Sequence, residues 1–307
     1  MKEMEMRQVY AQTILELSRK DQRVVALEAD LSSSMSTNQL KEEMKDRYIN
    51  VGIMEAEQVG AAAGLAVTGF IPFIHTFAPF ASRRVFDQVF ISLGYAQKHA
   101  IIVGSDAGVT AEMNGGTHMP FEDVALMRAI PKNHVYDVSD PYEFKAVLEH
   151  CYQAPGLHYI RTIRKQATSL YDAQTNFSEG VITVREGTDT TIFATGIMVA
   201  EALAAAEILE EQGISVKVID AFRVKPLNAA AVVQAAKMGP IVTAENHNVI
   251  GGLGSAVAEI TAEQYPTKLA RIGVKEQFGQ VGKADYLMEV YQLTCQDIVD
   301  AVKRVLN

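Results

Sequence analysis

Cysteine is scarce: Cys151 and Cys295 are the only two in 307 residues. They lie far apart without metal-ligand spacing, which suits a reducing cytoplasm. No apolar run reaches the roughly 18 residues that span a bilayer. The opening "MKEMEMRQVY" is charged and lacks the apolar core of a signal peptide, so a cytoplasmic, membrane-free protein is expected. Positive charge is also short. Lysine and arginine number 28 against 37 aspartates and glutamates, a net charge of −9 that argues against nucleic acid as a partner. It names no substrate, because a local pocket can be basic on an acidic protein. There is no GxxxxGK[ST] phosphate loop, no GxSxG nucleophile elbow and no His/Cys/carboxylate cluster with zinc spacing, so no metal ligands are expected on this chain. No internal repeat and no low-complexity tract interrupts the pattern.

What is present is a strand–helix alternation in a chain that is 48% apolar and long enough for two domains. Short β-branched runs ("RVVALEAD", "YINVGI", "FIPFIHTF", "HAIIVGSD", "HVYDVS", "LHYIRTI") are each followed by a helical or loop pattern, except the last, which closes the series. That order predicts an α/β fold, a parallel sheet with helices on both faces. Ligands on such sheets bind beyond the carboxyl ends of the strands. The polar stretch "RKQATSLYDAQTNFSEG", residues 164–180, lacks periodicity and reads as a linker. The pattern then resumes with "TTIFATG", "SVKVIDA", "PIVTAEN" and "LARIGV", a second, smaller α/β domain. The boundaries are drawn at residues 1–167, 168–184 (linker) and 185–307. "GGLGSAV" resembles a dinucleotide fingerprint only loosely, because Val257 takes roughly the place of a third small residue; it reads as a strand-to-helix turn that permits close packing.

One stretch stands apart. In "NVGIMEAEQVGAAAGLA", residues 50–66, Glu55 and Glu57 are the only charges at the mouth of a run of small apolar residues. A helix of this composition expects burial nearly all round. An acid at its entrance is either a first-turn charge favoured by the helix dipole or a desolvated carboxyl with a raised pKa. Glu57 reads as surface or interface.

Together with "HTFAPFASRRVFDQV", "NGGTHMPFEDVALMRAIP" and "AENHNVIGGLGSAVAE", that stretch resembles the transketolase family, in order and at family-like separations. The resemblance covers almost the whole chain and implies a pyrimidine-binding domain followed by a transketolase C-terminal domain. It implies thiamine diphosphate as cofactor and transfer of a two-carbon ketol unit between sugars. The family's GDG motif, which holds the diphosphate and its Mg2+ or Ca2+, is absent. The chain thus resembles the C-terminal subunit of a split transketolase, active only with an N-terminal partner that carries that motif. The division implies a homodimer of this chain within an α2β2 assembly, dimerised through the second domain.

Residue by residue, the resemblance implies that Glu55 shares a proton with N1′ of the aminopyrimidine, the contact that activates the cofactor. Phe77 and Phe80 match the aromatic positions around that ring; plain core packing would satisfy them equally. The family's next aromatic position falls on Arg83, whose guanidinium can also stack on a ring. Ile53 matches the apolar residue beneath the cofactor, and Asp30 an acid lining its cleft. His118, in "GGTHMP", matches a histidine facing the reacting carbon, although a lone His after two glycines is also an ordinary loop residue. Ser34 and Arg164 match positions that bind a sugar phosphate; Arg164 could equally be a solvated linker residue.

Departures cluster on the substrate side. The family commonly has His where Asp106 stands and Glu-Asp where Met113 and Asn114 stand. An unshielded Asp106 would repel phosphate, and Asn114 can hydrogen-bond a hydroxyl but carries no charge. The expectation is therefore an atypical ketose, branched, sulfonated or otherwise modified. Other classes stay open: a decarboxylating relative such as a 2-oxoacid dehydrogenase beta subunit or a deoxyxylulose-phosphate synthase-like enzyme, a non-catalytic partner chain, or a flavodoxin-like binding module.

Overall fold

Six β-rich segments of the first half fold as expected into one sheet. A computed structural model describes residues 1 and 4–307; Lys2 and Glu3, part of the segment read above as lacking a signal core, lie outside the described residues. Two units emerge, described separately here. The first takes residues 1–107, 126–136 and 140–175; the second takes 108–125, 137–139 and 176–307.

In the first unit the strands are β1 (Val24–Glu28), β2 (Tyr48–Asn50), β3 (Ile71–Phe77), β4 (Ala100–Ser105), β5 (His134–Asp137) and β6 (Leu157–Thr162). Their order is β5-β6-β4-β3-β1-β2, and the pairings of β1, β2, β3, β4 and β6 are parallel. β1, β3, β4 and β6 are buried along their whole length, as strands covered on both faces must be. From β1 the chain first builds outward to β2, then returns to the other side for β3 and β4. The topological switch point therefore lies between the carboxyl ends of β1 and β3, where open α/β sheets form their crevice.

The helices are less regular than the sequence suggests. "SMSTNQLKEEM" yields a 3₁₀ turn at Thr37–Gln39 and a short helix at Leu40–Met44. "ASRRVFDQVFISLGYAQ" forms no single helix: Ala78–Ala81, Arg83–Val85, Phe86–Gln88 and the π-helical Val89–Tyr95 follow one another. The polar stretch after β6 is tied down at several points: the carbonyls of Arg164 and Lys165 accept from the N–H groups of Arg7 and Met6, both at 3.1 Å. One oxygen of Asp140 caps the Pro141–Gln153 helix, accepting from the Tyr142 N–H at 2.6 Å, and the other accepts from Leu170 N–H at 2.7 Å. Tyr171 is buried there.

The second unit holds β7 (Ile182–Arg185), β8 (Thr190–Ala194), β9 (Val216–Asp220), β10 (Arg223–Lys225), β11 (Ile241–Asn248) and β12 (Leu269–Val274). Five of these form a sheet in the order β12-β11-β8-β9-β7. β7 begins inside the segment expected to be linker. "GGLGSAV" is the turn between β11 and the Leu253–Gln264 helix, as its structural reading expects. Glu245 accepts from the N–H groups of Leu253 and Gly254 at 2.7 and 2.8 Å, satisfying that helix start. A Cβ on Gly252 would fall 1.9 Å from the Glu245 carboxylate, so only glycine fits. Among the described residues no helix is long and apolar enough to cross a membrane.

Four histidines, His99, His134, His150 and His158, gather in the first unit around Tyr136 and one another. Burial pushes the imidazole of His158 down to about 3, and it lowers His99 as well. The folded state thus keeps His158 neutral where the unfolded chain takes up a proton. Stability should be complete above about pH 6.5 and fall by about 1.4 kcal/mol per pH unit below it. Urea unfolding at pH 7.5 and 5 should show a loss of about 2 kcal/mol from this site, absent in His158→Phe; equal slopes for both proteins would refute it.

Candidate functional site

Glu55 opens the Glu55–Val67 helix, directly after the β2 turn. Its carboxyl is only 5% exposed and sits at the positive end of the helix dipole. Gln58, one turn on, fixes it there. The Gln58 amide donates at 2.9 Å to the carbonyl of Leu27 on β1 and at 2.9 Å to that of His75 on β3. One buried side chain thereby clamps the helix start to the two strands that flank the switch point. The sequence reading missed Gln58, since a polar helical residue has no distinctive spacing.

The helix corrects one expectation. Only Glu55, Gln58, Val59 and Ala62 are buried, while Ile53, Met54 and Val67 are 73%, 54% and 66% exposed. Burial all round would require another surface, and this chain alone does not supply it.

The surroundings of Glu55 are not purely apolar either. Arg84 Nη1 donates to Glu55 Oε1 at 2.6 Å. The same guanidinium lies 3.6 Å from the centroid of the Phe80 ring. Phe77 and Phe80 stand 6.1 Å apart with their planes tilted by 46°. Arg84 is thus an arginine that lies over Phe80; Arg83, the position the resemblance names, precedes it in the same 3₁₀ turn, and both residues are exposed. A planar donor over an aromatic face, bonded to a buried carboxylate, occupies the kind of place an aminopyrimidine requires. The donor set fits that ring.

Further residues cluster at the same carboxyl edge. Asp30 follows β1 in a left-handed conformation with φ 61°; its side chain is exposed, and its N–H donates to Asn50 Oδ1 at 3.0 Å. Ser34 is half-buried in the following turn, and Ile53 projects outward after β2. Asp106 follows β4, also left-handed at φ 54°, and is 5% exposed. It does not stand unshielded: Arg164 Nε donates to Asp106 Oδ2 at 2.5 Å, and the Arg164 N–H donates to Oδ1 at 3.2 Å. The Arg164 guanidinium lies 4.9 Å from the Phe77 ring centroid. Arg164 is thus a fixed residue of this edge and not a solvated linker residue. Burial raises the Asp106 carboxyl, and the Arg164 charge pulls it back.

Beneath these groups runs a buried chain of polar side chains with no counterpart in the sequence reading. Glu28 and His75 are register partners on β1 and β3. His75 Nδ1 lies 2.9 Å from Glu28 Oε2, and His75 Nε2 lies 3.0 Å from Ser105 Oγ on β4. Thr37 donates to Glu28 Oε1 at 2.7 Å. All four are buried, so the chain ties the carboxyl ends of three strands together.

His118 and Asn114 belong to the second unit. His118 is half-buried, with Nδ1 2.9 Å from Thr117 Oγ1; Asn114 is exposed. Asn246 anchors the start of this segment, accepting from Val109 N–H at 3.0 Å. Gly108, at φ 58°, has no room for a Cβ against the Asn246 amide.

Comparison with known proteins shows the family. "Transketolase, pyrimidine binding domain" matches residues 2–168, and "Transketolase, C-terminal domain" matches residues 179–298. The chain belongs to the transketolase family. It is 48% identical over 302 residues to the 6-deoxy-6-sulfo-D-fructose transketolase subunit SqwH of Clostridium sp. (strain MSTE9), covering 98% of this chain and 94% of that one. It is 38% identical to a putative transketolase C-terminal section of Methanocaldococcus jannaschii, covering 98% and 95%. Against rat transketolase the identity is 31% across 98% of this chain but 49% of that protein. A solved structure described as a split gene transketolase, inactive β4 tetramer, superposes with a TM-score of 0.90 at 37% identity, covering 99% of this chain and 98% of that one. The transketolase family implies dependence on thiamine diphosphate.

Proposed function

We propose that this chain is the pyrimidine-side subunit of a two-chain, thiamine-diphosphate-dependent transketolase acting on a ketose with a terminal anion. The observation that carries the reading is Glu55: a buried carboxyl at a helix start, clamped to the switch point and bonded to a guanidinium that lies over the Phe80 ring. Bound there, the cofactor supplies a nucleophilic carbon that accepts the two-carbon unit. The protein's share is to hold and orient. Glu55 shares its carboxyl proton with the ring nitrogen N1′, Phe80 and Phe77 carry the ring, and Ile53 and Asp30 border it. Arg83 adjoins the same edge. Ser34 and Arg164 hold the far end of the sugar, with Asp106 beside Arg164. His118 and Asn114 meet the donor's oxygens, His118 exchanging protons with them.

The diphosphate and a Mg2+ or Ca2+ ion are assigned to an N-terminal partner carrying the GDG motif, in an α2β2 assembly of the cytoplasm. The exposed apolar side of the Glu55–Val67 helix supports a reading in which other chains complete the site. The domain division at residues 167 and 185 goes with it. For the substrate, the Clostridium relative points to 6-deoxy-6-sulfofructose as the donor to try first. Mixing the chain with its partner, thiamine diphosphate and Mg2+ should shorten that six-carbon ketose to a four-carbon sulfonated aldose and lengthen an aldose acceptor by two carbons. Release of carbon dioxide instead, or no transfer from any ketose, would reject the proposal.

Arg84 must turn away for the ring to reach Glu55. An ion pair with one side chain 45% exposed is worth about 0.2–1 kcal/mol. Arg84→Ala should therefore raise the affinity of the reconstituted pair for thiamine diphosphate by about 1.4- to fivefold, measured by calorimetry. Weaker binding would mean that Arg84 supports the cofactor directly.

A further inference from the structure

We infer that Asp106 sets the charge of the terminal group this site accepts, admitting a singly charged anion such as a sulfonate and disfavouring a doubly charged phosphate. The inference rests on the reading of Arg164 as the residue that meets the sugar's far end. The Arg164 guanidinium is held on two sides. Its Nε edge is bonded to Asp106, and its central carbon lies over the Phe77 ring. Its two terminal nitrogens make no hydrogen bond to any described residue, and its side chain is 23% exposed. An anion can therefore reach the terminal edge only.

The charge at that edge is already balanced. Asp106 and Arg164 together sum to zero, and the buried carboxylate lies directly behind the guanidinium. A sulfonate brings one negative charge; a phosphate monoester brings about 1.5 to 2 near pH 7. In a partly desolvated setting the extra charge meets the Asp106 carboxylate with little screening. The fork geometry suits three tetrahedral oxygens of either group, so shape does not discriminate between them. Charge does, and Asp106 is the residue that supplies it. The only other groups shown to act on this carboxyl are Arg164 itself and the charge of His75.

The test compares two ketoses that differ only in their terminal group, 6-deoxy-6-sulfofructose and fructose 6-phosphate, on the reconstituted complex. Binding is measured by calorimetry without an acceptor, and transfer by kcat/KM with one. The wild-type complex should bind the sulfonate more tightly, and Asp106→Asn should shift the binding ratio at least tenfold toward the phosphate. Arg164→Gln, a second variant in case the first does not fold, should weaken both at least tenfold without bringing the phosphate ahead. A ratio unmoved by Asp106→Asn overturns the inference, as does a wild type that prefers phosphate or binds neither. Transfer with no such preference leaves the proposed activity standing and removes the role of Asp106. A preference in binding without transfer does the reverse.

Discussion

Glu55→Gln should lower the rate of ketol transfer by the reconstituted complex about 10²- to 10⁴-fold, the range expected when a proton-sharing group is lost. Glutamine keeps the shape and one oxygen, but it cannot hold a proton between its oxygen and a ring nitrogen. The fold should survive. The change weakens one charge-assisted bond to a half-exposed arginine, worth about 1 kcal/mol at most, and leaves the Gln58 clamp untouched. The measurement is the initial rate at saturating thiamine diphosphate, with thermal unfolding of both proteins alongside. Equal melting temperatures and a rate reduced a hundredfold or more would assign the loss to chemistry. A full rate would remove Glu55 from the mechanism and leave a partner chain that keeps the fold without the reaction.

Glu28→Ala should cost about 3–5 kcal/mol of stability. The substitution removes the acceptor of Thr37 Oγ1 and the partner of His75 Nδ1 together, both fully buried. His75 Nδ1 is then left without that bond where water does not reach, Thr37 Oγ1 keeps only its longer contacts to the Ser32 carbonyl and the Tyr48 hydroxyl, and a cavity remains in the deleted side chain's place. Urea denaturation should show a lower midpoint with an unchanged slope. Because the chain continues through His75 to Ser105, the loosened ends of β1, β3 and β4 lie directly under the site. Weaker thiamine diphosphate binding by the reconstituted pair should accompany the loss of stability. A change below about 1 kcal/mol would show that the network is not a structural tie.

The candidate site was proposed from residue types together with the motif resemblance. Glu55 stood out as a carboxylate at the mouth of a run of small apolar residues, which a first-turn dipole charge would also explain, and Phe77, Phe80 and Arg164 carried motif positions. Arg84, the residue after Arg83, escaped the sequence reading for a physical reason. Spacing arguments presume one regular helix through "ASRRVFDQVFISLGYAQ", whereas the backbone passes through 3₁₀, α and π turns. Each changes the rotation per residue, and Arg84 is the residue delivered onto Phe80. The fully buried helix read from "EAEQVGAAAGLA" failed differently. Composition reports what a surface can tolerate, and the cover it calls for is not part of this chain.

The amino-acid sequence by itself determined the alternation of strands and helices, the family, and which residue types carry the chemistry. Those properties are local or motif-borne, written in hydrophobic period and short spacing. Only the tertiary structure decided the partners: Arg84 on Glu55 across 29 residues, His75 on Glu28 across 47, and Arg164 on Asp106 across 58. A parallel sheet joins strand ends that are distant along the chain. The charge balance of the site is set at that edge, where residues that share no local pattern are brought within hydrogen-bonding distance.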